Sequence, residues 1–219
     1  TGAAGGDTIT LGAALTTSMT VDLAAGADRL TLANVANAGS VANTETLAGG
    51  TGADAITLAT AISAGSVDLA AGSDILALAN GANSASVANV ETLTGGTGAD
   101  TIAVSAAMSN ASIDLAAGND AVTLGNFANT ASLSNVETIA GNALADVVTL
   151  GTALTTGMTV DLAAGSDRLT LANVANTGTV RNVETIAGGT GADAVTLGAA
   201  ASGASVDLAA GADTLTLAS

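Results

Sequence analysis

The sequence predicts an all-β fold, a right-handed parallel β-solenoid of about ten coils alternating between 20–21 and 26 residues. Three observations carry this expectation. Ten aspartates recur along the chain, at Asp7, Asp28, Asp54, Asp74, Asp100, Asp120, Asp146, Asp167, Asp193 and Asp213, with intervals that alternate between about 20 and about 26 residues. Each is followed two and four positions later by an aliphatic residue, as in Asp54-Ala55-Ile56-Thr57-Leu58, which is the period-2 pattern of a short strand with one face turned inward. A second aliphatic column then follows within each interval.

Taken in order, the first column after the aspartate reads Ile9, Leu30, Ile56, Leu76, Ile102, Val122, Val148, Leu169, Val195 and Leu215. The second reads Val21, Val41, Val67, Val87, Ile113, Leu133, Val160, Val180 and Val206, so each coil closes with at least two inward-facing strands. The residue between inner aliphatics is usually threonine, for example Thr10, Thr31, Thr57, Thr123 and Thr149, a β-branched choice that suits a pleated outer face. An ice-binding face would need a second matched threonine column, and the position just before the inner aliphatic is irregular (Thr8, Arg29, Ala55, Ile75). Asparagines recur once per long repeat at Asn34, Asn37 and Asn43 and their equivalents, where they read as turn formers able to adopt left-handed geometry. Phe127, the single aromatic, is expected on a variable surface loop.

The chain reads as one continuous domain over 1–219, with long repeats of about 46 residues starting near 7, 54, 100, 146 and 193. Residues 11–50 and 150–189 agree at about 32 of 40 positions, which implies a higher period of three long repeats and an array that continues beyond this sequence.

Composition narrows function by exclusion. Histidine, cysteine, lysine, tryptophan, tyrosine and proline are absent, removing most general bases, nucleophiles and soft-metal ligands. An enzyme is not expected. Nineteen acids against three arginines (Arg29, Arg168, Arg181) give a net charge of −16, which repels nucleic acid and anionic membranes and favours small cations. The 48% apolar content is largely alanine and supplies no run of the roughly 20 apolar residues that spans a bilayer.

Three turns carry a motif. Gly49-Gly50-Thr51-Gly52-Ala53-Asp54, Gly95-Gly96-Thr97-Gly98-Ala99-Asp100 and Gly188-Gly189-Thr190-Gly191-Ala192-Asp193 each run on into the inward aliphatic two residues later. They fit G-G-x-G-x-D-x-U-x, and over its whole length the chain resembles the repeats-in-toxin, or hemolysin-type, calcium-binding solenoids of bacterial secreted surface proteins. The intervening turns depart from the motif, as in Leu69-Ala70-Ala71-Gly72-Ser73-Asp74, and the turn before Asp146 reads Gly141-Asn142-Ala143-Leu144-Ala145.

The resemblance implies calcium between successive turns. Its candidate ligands are the ten aspartates, read as one column, with backbone carbonyls at Gly49, Thr51, Gly95, Thr97, Gly188 and Thr190. The alternative reading has each carboxylate capping N–H groups of its own turn. A second acidic set, Asp22, Asp68, Asp114, Asp161 and Asp207, with the glutamates Glu45, Glu91, Glu137 and Glu184, is expected to point to solvent. The resemblance also implies type I secretion, an extracellular or cell-surface site, and a structural role in which the chain associates with itself into a surface layer, filament or matrix. The alternatives are a passive spacer in a giant adhesin and, behind that, an ice-binding solenoid.

Overall fold

A computed structural model describes residues 1–198 and 203–217. Its described residues form 23 short strands, numbered β1 to β23 in chain order, and no helix. The first long repeat contributes five: β1 (Thr8–Thr10), β2 (Thr20–Asp22), β3 (Arg29–Thr31), β4 (Ala38–Ala42) and β5 (Thr46–Ala48). The second begins with β6 (Ala55–Leu58), β7 (Gly65–Asp68) and β8 (Ile75–Ala77), and the last strand is β23 (Thr214–Leu217).

Odd-numbered strands make a 12-stranded sheet and even-numbered strands an 11-stranded sheet, every neighbouring pair parallel. Each turn of the chain therefore adds one strand to each sheet, and the two sheets close over a narrow interior. The 12-stranded sheet takes eleven steps from β1 to β23, in line with the expected count of about ten turns of roughly 20 residues.

The register divides the turns differently from the aspartate spacing. Ile9 lies beside Leu30, a step of 21 residues, Leu30 beside Leu47, a step of 17, and Leu47 beside Val67, a step of 20. The 26-residue interval is thus not a coil. It holds a 17-residue coil and part of the next, because β5 and its equivalents form a fifth strand in each long repeat. Since a turn uses two strands, five strands make two and a half turns, and each long repeat starts on the sheet opposite to the one before. β1 and β6, both introduced by an aspartate and both reading x-Ile-Thr, lie in different sheets.

Both aliphatic columns point inward along the stack, although Leu215 in the last strand is 43% exposed, and the fifth strands add Leu47, Leu93, Ile139 and Ile186. Leu30, Val67, Leu76, Ile102 and Val148 are fully buried. At about 25 cal/mol per Å² of apolar surface, each fully buried Leu or Val contributes roughly 1.5–3 kcal/mol. The outward threonines do not form one column either. Register sets Thr138, Thr159, Thr179, Thr196 and Thr216 side by side on the 12-stranded sheet, residues drawn from different positions of the repeat. Phe127 is exposed, as its variable position suggested.

Candidate functional site

The half-turn per repeat moves the aspartates. Asp7, Asp28, Asp100, Asp120, Asp193 and Asp213 precede strands of the 12-stranded sheet, whereas Asp54, Asp74, Asp146 and Asp167 precede strands of the 11-stranded sheet. They stand in pairs on opposite edges of the solenoid, which corrects the reading of a single column of ten.

Within each edge the pairs are completed by residues the spacing of aspartates alone did not reveal. The N–H of Asn37 donates to Oδ1 of Asp54 at 2.8 Å, the N–H of Asp54 to Oδ1 of Asp74 at 2.7 Å, and the N–H of Asp74 to Oε2 of Glu91 at 2.7 Å. The Asn37 amide also donates to Asp54 Oδ1 at 2.8 Å, and its own Oδ1 accepts the Leu15 N–H at 3.0 Å. The same run of Asn, Asp, Asp and Glu recurs at Asn83, Asp100, Asp120 and Glu137 on the other edge. It returns at Asn129, Asp146, Asp167 and Glu184. Each side-chain oxygen accepts an N–H from the coil before, so the rows are hydrogen-bonded ladders running along the stack.

The ladder explains local sequence. Asn37, Asn83, Asn129 and Asn176 are buried and hold their own turns closed; the Asn83 amide donates to the carbonyls of Ala79 and Gly81, each at 2.9 Å. Glu45, Glu91, Glu137 and Glu184 end the ladders instead of lining a solvent face, as their Oε2 atoms take the N–H of the preceding aspartate. The constant 17-residue spacing from Asn to Asp and from Asp to Glu is the sequence signal for this arrangement. The second acidic set does face outward. Oδ1 of Asp68 accepts the N–H of Ala70, whose φ is 67°, and the Asn89 amide, which comes from the next coil. In Asp22 the same bonds, from Ala24 and then Asn43, hold the carboxyl below its usual range.

Glycine in the motif is needed for close approach. A Cβ at Gly49 would lie 2.4 Å from the Leu69 carbonyl oxygen and 2.8 Å from Oδ2 of Asp54, and Gly95 and Gly188 sit on Asp100 and Asp193 in the same way. The Thr51 N–H donates to Oδ1 of Asn34 at 2.8 Å, and Thr190 uses both its N–H and hydroxyl on Asn173.

Seven aspartates, Asp28, Asp74, Asp100, Asp120, Asp146, Asp167 and Asp193, bury Oδ2 with no hydrogen-bond partner. Burial first, then the neighbouring Asp54 and Glu91, push the Asp74 carboxyl up against the lowering effect of the Asp54 N–H. Asp120 and Asp167 are raised for the same reasons. Calcium needs six to eight oxygen ligands. Here the Oδ1 atoms already take N–H donors, glycine backbone packs against the motif carboxylates, and the described residues contain no group of three or more acidic, histidine or cysteine side chains placed to hold a metal. The side chains of the described residues do not by themselves assemble the shell of six to eight oxygens that the ion takes. Compared with known proteins, the chain matches no family model, and no curated protein is significantly similar to it.

Proposed function

We propose that this chain is a non-enzymatic structural repeat of the bacterial cell exterior, akin to the repeats-in-toxin solenoids, which associates with itself into a surface layer, filament or matrix. The observation that supports this reading most is the stack itself. Two parallel sheets of 12 and 11 strands pair each coil with the next through the described chain, a geometry that extends by repetition. Register sets rows of threonine, serine and alanine side by side on the outer faces, where a second rod could approach. The lack of histidine and cysteine and the rows in which its carboxylates occur leave no single acid–base pair to serve as a reaction centre.

Charge supports the second reading, a passive spacer in a larger adhesin, because rods of net charge −16 repel one another. Calcium enters the first reading as a counter-ion between rods, screening exposed acids such as Asp68 and Asp114. Electron microscopy and light scattering of the purified chain, with and without calcium, separate the two. Ordered filaments or sheets are expected; monomers persisting at high concentration in calcium would leave the spacer.

A further inference from the structure

We propose that the ladders of Asn, Asp, Asp and Glu do the work that a resemblance to calcium-binding solenoids assigns to metal, so that the solenoid folds and holds its turns without any divalent ion. This concerns the folded chain alone and is independent of whether rods associate.

Four observations converge on it. Every ladder step is closed by an N–H donor at 2.7–3.1 Å onto one oxygen of the next side chain, a charge-assisted bond that ties coil to coil even though Oδ2 of seven aspartates stays buried without a partner. The row begins with a buried asparagine, whose amide supplies a donor to the first carboxylate, as Asn37 does to Asp54 and Asn129 to Asp146. Glycine backbone packs close over the motif carboxylates, so that a Cβ added at Gly188 would stand only 2.7 Å from Oδ2 of Asp193. Finally, the shortened turns keep the same ladder without the leading glycines. Asp74 and Asp120, which follow such turns, accept N–H donors at 2.7 Å just as Asp54 and Asp100 accept theirs at 2.8 and 2.9 Å. Motif and non-motif turns are therefore mechanically alike, and the glycine-rich version is one solution to packing a carboxylate against backbone.

The test is the thermal melt of the full chain by circular dichroism after removal of metal with EDTA and chelating resin, repeated in millimolar calcium chloride. A ligand held only by the native state at a hundred times its Kd raises Tm by roughly 5–10 °C in a chain of this size. The ladder predicts the same β-sheet spectrum and a shift within about 1 °C; a calcium-dependent rise of about 5 °C or more, or loss of structure on chelation, overturns it. A second variant guards the mechanism. Asp74→Asn keeps an oxygen for the Asp54 N–H and removes a metal-binding charge, so its Tm should stay within about 2 °C of the parent or rise. A metal-free parent melt combined with an unfolded Asp74→Asn chain would refute the ladder as the holding device.

Discussion

Replacing Asn83 with alanine tests the ladder where its hydrogen bonds are densest. The Asn83 side chain is 1% exposed, donates to Ala79 O, Gly81 O and Asp100 Oδ1 at 2.9, 2.9 and 2.8 Å, and accepts the Ile62 N–H at 3.1 Å. Asp100 retains the Asn83 backbone N–H at 2.9 Å and so loses least. The Gly81 carbonyl is half-exposed and can turn to water. The Ile62 N–H and the Ala79 carbonyl are left in the interior, at about 1–3 kcal/mol each, so Asn83→Ala should cost about 4 kcal/mol. For a chain of this length that corresponds to a fall in Tm of roughly 8–16 °C. Asn80, three residues earlier in the same turn, is exposed and makes no side-chain hydrogen bond among the described residues, so Asn80→Ala should stay within about 0.5 kcal/mol of the parent. Thermal melts of both variants supply the energies, and hydrogen exchange at the Ile62 amide reports the broken bond directly. Equal melts for the two variants, with Ile62 protection unchanged, would refute the reasoning.

Two further outcomes follow from the same geometry. Gly95→Ala places a Cβ 2.5 Å from the Leu115 carbonyl oxygen and 2.8 Å from Oδ2 of Asp100, so it should destabilise by about 1–3 kcal/mol or more in urea unfolding, while alanine at Gly5, where nothing lies within 4 Å, should be neutral. Acid should strengthen the fold before it weakens it. Asp74, Asp120 and Asp167 are held higher in the folded chain, so their contribution is complete below the unfolded value of about 3.9 and is lost as pH rises through their raised folded values. Asp22 is held lower, and its smaller, surface contribution is lost only as pH falls through that lowered value. Melts between neutral pH and about pH 4 should therefore show Tm rising on acidification; a steady fall over that window would contradict the assignment.

Much of the architecture was legible in the sequence because inward aliphatics at positions two and four after each aspartate can satisfy only a strand with one buried face. Ile56, Leu58, Leu76 and Val122 are buried as that pattern requires. What the pattern could not show was which sheet a strand joins. Period-2 alternation fixes the face a residue turns to but is silent about the side of the rod, and aligning on identical aspartates assumes that like residues share a place. The fifth strand, Thr46–Ala48 and its equivalents, was hidden within the longer interval because it is introduced by glutamate instead of aspartate. The candidate ligands were legible as special positions but not as ladders. Glu91, between Val90 and Thr92, resembles a solvent-facing acid until the N–H of Asp74 is found on its carboxylate. Asn37 and Asn83 read as turn formers, which they are, and their second task of carrying the hydrogen-bonded row onward depends on a neighbour one coil away.

An odd number of strands per unit couples length to heading. Inserting one copy of the 46-residue unit would lengthen the molecule and swing everything downstream to its opposite flank, whereas inserting two would lengthen it and restore the original aspect. Whatever such an array carries at its tip is thereby aimed by the parity of the copies beneath it, so gain or loss of a single unit during recombination reorients the cargo as well as moving it.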